Sequence, residues 1–280
     1  MKRGDPLNGM AICSGIGGLE LGLQLALPSY RTVCHVEGEA YAAHVLVARM
    51  EDQVLAPAPV WDDVTTFNGR DWRGVVDIIS TGFPCQPWSC AGARRGTRDP
   101  RWLWPHIRRV IGEVGPPFVF LENVPGILTG GLPHILGALA EMGYDAEWGC
   151  FSAAEVGAPH LRVRWFLLAH AHGSGQPPTL PDVLGGEPHP LGGPGGHGEA
   201  EDALCDGPQE NGEGKGNLPA ARQDGELAGP DRWLPEPEVP RVDDGTPRRV
   251  DRIRACGNAV VPQVAARAFI ELLKRLEMKP

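Results

Sequence analysis

Short apolar runs alternate with helical patterns along residues 10–170. GMAICSG, TVCHVEG, VVDIIST, FVFLENV and RVRWFLLA are compact apolar runs bounded by turn formers or charges, and each predicts a strand. LELGLQLAL, AYAAHVLVARM, WPHIRRVIGEV and ILGALAEMG place apolar residues three and four apart and predict helices, the last ending at Gly143. Runs rich in Val and Ile between helices are buried on both faces. The expected architecture is therefore α/β, a doubly wound and mostly parallel sheet covered on each side. Helical spacing returns in PQVAARAFIELLKRL, where Val264, Ala268, Leu272 and Leu273 share a face, and this helix is expected to pack back on the sheet.

The pattern fails over residues 171–247. Sixteen glycines and thirteen prolines fill these 77 positions, and Trp233 is the only Phe, Trp or Tyr. Such a stretch buries too little surface to offset chain entropy. The expected organisation is a core over 1–170, a small irregular Gly/Pro-rich lobe over 171–247 and a C-terminal segment over 248–280. Charge sharpens the division. The chain's net charge is −9, yet residues 171–247 alone hold 15 acidic and 4 basic side chains. The remainder carries 22 positive and 20 negative charges, with local excesses of +5 over residues 94–109 and again over 248–280. These two patches either meet a phosphate backbone or are solvated surface.

No apolar run reaches the roughly 18 residues of a membrane span. MKRGDPLNGMAIC holds no apolar stretch of signal-peptide length, so a cytoplasmic protein is expected. Seven scattered cysteines form no CxxC pair, which indicates neither a zinc site nor a disulfide framework, and no metal is expected.

Candidate chemistry gathers at the strand ends. In ICSGIGGLELGL, Gly15, Gly17 and Gly18 let backbone approach a ligand at a helix N-terminus, or simply make a tight turn. Glu37 ends the next strand, where a carboxylate can accept from ribose hydroxyls, and Asp63 follows a further candidate strand, within reach of an adenine amino group. Together they point to an adenosine-containing cofactor of unspecified kind. Cys85 lies between Pro84 and Pro87 at a strand end, with the polar Gln86 beside it and arginines close by in sequence. That setting suits an ordered loop and a reactive thiolate better than a core cysteine. A parallel neighbouring strand brings Glu122 to the same edge. Following four apolar residues, its carboxyl is expected to be desolvated and to act as an acid near neutrality; Asn123 is either part of this site or a helix cap. In HLRVRWFLLA, strand alternation puts His160, Arg162 and Arg164 on one face, facing either a carboxylate of the fold or a substrate carbonyl or phosphate.

SGIGG, PCQPWS, ENV, HLRVR and GNAVVP, in this order, closely resemble the DNA (cytosine-5) methyltransferases of phage and prokaryotic type. The resemblance spans about residues 10–170 and 248–275. It implies the Rossmann-like fold of S-adenosylmethionine-dependent methyltransferases, with S-adenosyl-L-methionine in the glycine loop, Glu37 on the ribose and Asp63 near the adenine. Cys13, Leu19, Val64, Pro84, Asn258 and Ala259 join that cofactor set, Asn258 also bracing the catalytic loop. Cys85 would attack C6 of a cytosine flipped out of double-stranded DNA, with Glu122 on N3 and Arg164 on the base carbonyl. Arg162 counts among the catalytic groups, and Gln86, Ser89, Asn123, Val124 and His160 among those meeting the substrate. Residues 86–101 would form a loop closing on DNA, and 171–247 the target-recognition region. A monomer is expected, and any cognate restriction endonuclease would act separately; the sequence does not say whether one exists.

Four departures stand out. Cys13 replaces the family's usual aromatic, Gly38 a frequent tryptophan and His160 the usual glutamine, while EPEVPRVDDGTPRRVDRIRA occupies the place of the ninth motif. Three other readings compete. An RNA cytosine methyltransferase shares the core, a DNA-binding remnant would bind without transfer, and a dinucleotide-dependent oxidoreductase leaves Cys85, Glu122 and the arginines without roles.

Overall fold

The computed structural model describes residues 6–84, 99, 101–172 and 249–278. Along the chain run β1 (Leu7–Ile12), α1 (Gly18–Ala26), β2 (Tyr30–Val36), α2 (Ala40–Glu51), β3 (Val60–Trp61), β4 (Ile78–Thr81), α3 (Trp104–Val114), β5 (Phe118–Asn123), α4 (Leu132–Glu141), β6 (Tyr144–Phe151), β7 (Arg164–Ala171), α5 (Arg249–Asn258) and α6 (Pro262–Glu277). The seven strands form one sheet in the order β3-β2-β1-β4-β5-β7-β6. The first five in that order pair in parallel, and β7 runs antiparallel to both β5 and β6. The mostly parallel α/β expectation is met.

Each face of the sheet has its own core. On one, α3 and α4 cover Met10, Ile79, Val119, Leu121 and Leu167. On the other, α1 and α6 cover Ile78, Phe118, Phe120, Phe166 and Leu168. Phe120 stacks on Phe166 at 5.7 Å and meets Phe269 of α6 edge-on at 5.4 Å. Each such fully buried side chain contributes about 1.5–3 kcal/mol. α1 and α6 approach closely because Gly22 has no side chain: a Cβ there would lie 2.5 Å from the Ala265 Cβ and 2.7 Å from the Pro262 carbonyl.

Two features differ from the sequence pattern. Strand β6 (YDAEWGCF) was not expected, because charges, a glycine and an exposed face erase its apolar signal. The strand expected from His160 begins only at Arg164. Arg162 has φ +32°, outside any strand conformation. The Leu161 carbonyl is held instead by the Ala153 amide at 2.7 Å and the Ser152 hydroxyl at 2.8 Å, which keeps residues 160–163 off the ladder. His160, Arg162 and Arg164 therefore do not share a strand face. Among the described residues no helix is long and apolar enough to cross a membrane.

Candidate active site

A cleft of about 330 Å³ opens at the C-terminal ends of β1, β2, β4 and β5. This volume lies within the roughly 300–1,000 Å³ of small-molecule sites. Its first wall is the turn from β1 to α1. Cys13, Gly15 and Gly17 all take positive φ (52°, 54° and 82°), so the chain folds back sharply after Ile12. A Cβ on Gly15 would meet nothing within 4 Å, which leaves its backbone open to the cleft. Gly18 differs, because the carbonyl of Val260 fills the place of its missing side chain at 2.6 Å. That glycine admits the C-terminal segment while its backbone lines the cleft.

Glu37 lines the same cleft from the end of β2. Its carboxylate accepts the Gly15 amide at 2.6 Å and the Glu39 amide at 2.8 Å, and thereby ties the glycine turn to the β2 loop. Burial raises its pKa, and the two amides pull it back. Beneath the turn, Glu20 is 1 % exposed. It accepts the Ser80 hydroxyl at 2.9 Å through Oε1, while Oε2 has no hydrogen-bond partner among the described residues. Burial pushes Glu20 up to about 7 against the pull of its own amide and of Ser80. Burial and the Glu37 charge push the Cys13 thiol up to about 12, so it stays protonated.

The opposite wall is built by β5 and β7. Their antiparallel pairing sets Asn123 opposite Trp165, so Arg164, first in its strand, arrives beside the last residues of β5. Arg164 Nε lies 3.2 Å from Glu122 Oε1. Glu122 is 7 % exposed, and burial pushes it up to about 7, with Arg164 and then Arg162 drawing it down. A carboxyl in that range exchanges a proton near neutrality. Asn123 is not a helix cap. Its Nδ2 donates to the Phe83 carbonyl at 3.0 Å, and its Oδ1 accepts the Val124 amide at 2.9 Å.

The cleft thus gathers Cys13, Gly15, Gly18, Leu19, Glu37, Pro84, Glu122, Asn123, Val124, Arg164, Asn258 and Ala259 from the sequence expectations. Other candidates lie off its wall. Gly17 packs toward Leu55 and Leu46. Val64 is buried in the core beneath α3. The Asp63 carboxylate is taken by the Thr65 amide and hydroxyl, both at 2.8 Å. His160 is exposed. Arg162 donates to the carbonyls of Gly257 and Ala259, so it braces the C-terminal wall. Cys85, Gln86 and Ser89 lie outside the described residues, the last described one before them being Pro84. Sequence reasoning missed Glu20, whose only signal is a lone carboxylate on the same helical face as Leu23.

Residues 7–183 match the model of the C-5 cytosine-specific DNA methylase family, well over half of the chain. The chain belongs to that family. Among curated relatives, it is 34% identical over 181 residues to the Type II methyltransferase M.NaeI of Lentzea aerocolonigenes, covering 63% of this chain and 43% of that protein. It is 34% identical over 164 residues to M.NgoMIV of Neisseria gonorrhoeae, covering 57% and 50%. The methylase match therefore spans half or less of these relatives' length. In fold, a methyltransferase of Entamoeba histolytica superposes with a TM-score of 0.52 at 18% identity, over 59% of this chain and 53% of that one. Gly38 has a local cause: a Cβ there would lie 2.9 Å from the Asp62 carbonyl, so a larger residue would displace the β3 loop.

Proposed function

We propose that this protein transfers a methyl group from S-adenosyl-L-methionine to C5 of a cytosine flipped out of double-stranded DNA. The observation that carries the reading is the buried Glu122–Arg164 pair in the wall of the cleft that the glycine turn and Pro84 also line. A strand-end acid, a positioned cation and the backbone next to a cysteine then meet at one place.

The cleft fits the cofactor in volume, in the open backbone face of Gly15 and in its acidic lining. Gly15, Leu19, Glu37, Asn258 and Ala259 would hold it, with Cys13 and Pro84 adjacent. Bound there, it supplies an electrophilic methyl group. The chain's own residues prepare the base. The Cys85 thiolate adds to C6 while Glu122 delivers a proton to N3, so the ring accepts the sulfur's electron pair without stranding charge. Arg164 orients both Glu122 and the base carbonyl. C5, now electron-rich, takes the methyl group. Loss of the C5 proton to a base then expels the sulfur, and N3 returns its proton to Glu122, which restores the neutral ring and the acid. Arg162 acts in this reading as a positioning residue behind Arg164. Gln86, Ser89, Val124 and His160 approach the target, and Asn123 fixes the backbone before the cysteine. Residues 171–247 read the DNA sequence. The protein works as a cytoplasmic monomer, with any cognate endonuclease acting separately.

Duplex DNA carrying 5-fluorocytosine, incubated with protein and cofactor, should give an adduct that survives denaturation and disappears in Cys85→Ser. Absence of an adduct across a library of sequence contexts refutes the reading. An adduct with tRNA but not with duplex DNA would move the activity to RNA.

A further inference from the structure

We propose that Glu20 is the anionic anchor for the α-ammonium group of the cofactor's amino-acid moiety; this rests on the cofactor reading above. Four carboxylates line the cleft: Glu20, Glu37, Glu39 and Glu122. Glu37 is taken by two backbone amides, Glu39 caps α2 through the Ala42 amide, and Glu122 pairs with Arg164. Among the described residues, Glu20 alone of the four keeps an oxygen that is both buried and without a hydrogen-bond partner. Leaving such an oxygen unpaired costs free energy unless a ligand donates to it.

Position selects the donor. Adenine and ribose would lie toward β2 and Glu37 in this reading. Glu20 reaches instead to β4, where it holds Ser80, two residues before Gly82, and a Cβ on Gly82 would lie 3.2 Å from Glu122 Oε2. The part of the cofactor next to its transferable methyl group is the amino acid, whose ammonium is its strongest N–H donor. Arg49 does not neutralise Glu20 at contact distance, since its Nη1 donates to the Ile16 carbonyl. Tyr30 and Thr32, linked hydroxyl to hydroxyl, complete the polar surroundings.

The test is calorimetric binding of S-adenosylhomocysteine and of 5′-methylthioadenosine, which lacks the amino acid, to wild type and Glu20→Gln. The variant should bind S-adenosylhomocysteine about tenfold or more weakly and methylthioadenosine within about twofold of wild type. Equal affinity for S-adenosylhomocysteine in both proteins, or an equal loss for both ligands, overturns the proposal. If Glu20→Gln does not fold by circular dichroism, the wild type decides alone: a S-adenosylhomocysteine analogue with hydrogen in place of the α-amino group should bind about tenfold or more weakly, and undiminished binding overturns the assignment. Failure of wild type to bind S-adenosylhomocysteine at all would sink the cofactor reading together with this one, whereas normal wild-type binding with an indifferent variant sinks this one only.

Discussion

The two walls of the cleft each bury one glutamate and treat it differently. Glu20 and Glu122 are both pushed up to about 7 by burial. Glu20 has a neutral partner, the Ser80 hydroxyl on a parallel strand, and an oxygen left over. Glu122 has a guanidinium partner, delivered by the strand that runs backwards. Desolvation alone therefore does not decide what a buried acid does. A fixed cation orients the acid it meets, whereas a hydroxyl on one oxygen leaves the other without a donor. We read the first wall as built for binding and the second for proton transfer.

Substitution can break that division. Glu122→Gln should lower single-turnover methyl transfer by about 10²–10⁴-fold while cofactor affinity stays within about twofold, because a positioned acid is lost and no binding group is. An equal fall in affinity would mean the walls do not act separately. Arg162→Ala should couple them: with the Gly257 and Ala259 carbonyls released, cofactor affinity should drop about 10–100-fold by calorimetry, and Arg162→Lys should restore part of it.

Titration sharpens the likeness between the walls. Each carboxyl sits above its ordinary value of 4.5. Between pH 4.5 and about 7 the folded protein retains protons that the unfolded chain has released, so stability falls as pH rises through this window. In urea unfolding, Glu20→Gln and Glu122→Gln should each gain on wild type by on the order of 2 kcal/mol between pH 5 and pH 8. The smallest effect belongs to packing. Gly22→Ala, which presses a Cβ onto Ala265, should cost about 1–2 kcal/mol and lower Tm without touching either carboxyl.

The sequence pattern showed the first wall more fully than the second. Gly15, Glu37 and the alternation of β1, α1 and β2 could be read because a parallel βαβ unit carries its signal locally. Two things were hidden. Hydrophobic spacing has no direction, so nothing in RWFLLA told that β7 runs antiparallel, and that reversal is what brings Arg164 to Glu122. A glycine also does not announce what fills its missing side chain: Gly18 lines the cleft and also seats the Val260 carbonyl. Nor does the pattern show that Thr65 holds both Asp63 carboxylate oxygens, off the wall of the cleft.

The Asn123 amide, finally, makes a fixed post of the Phe83 carbonyl, two positions before Cys85. The strand that carries the acid thus also sets where the chain departs toward Cys85. The stretch beyond could then change in length and composition without moving its point of departure. Swapping that stretch between family members should be easier than replacing this one asparagine.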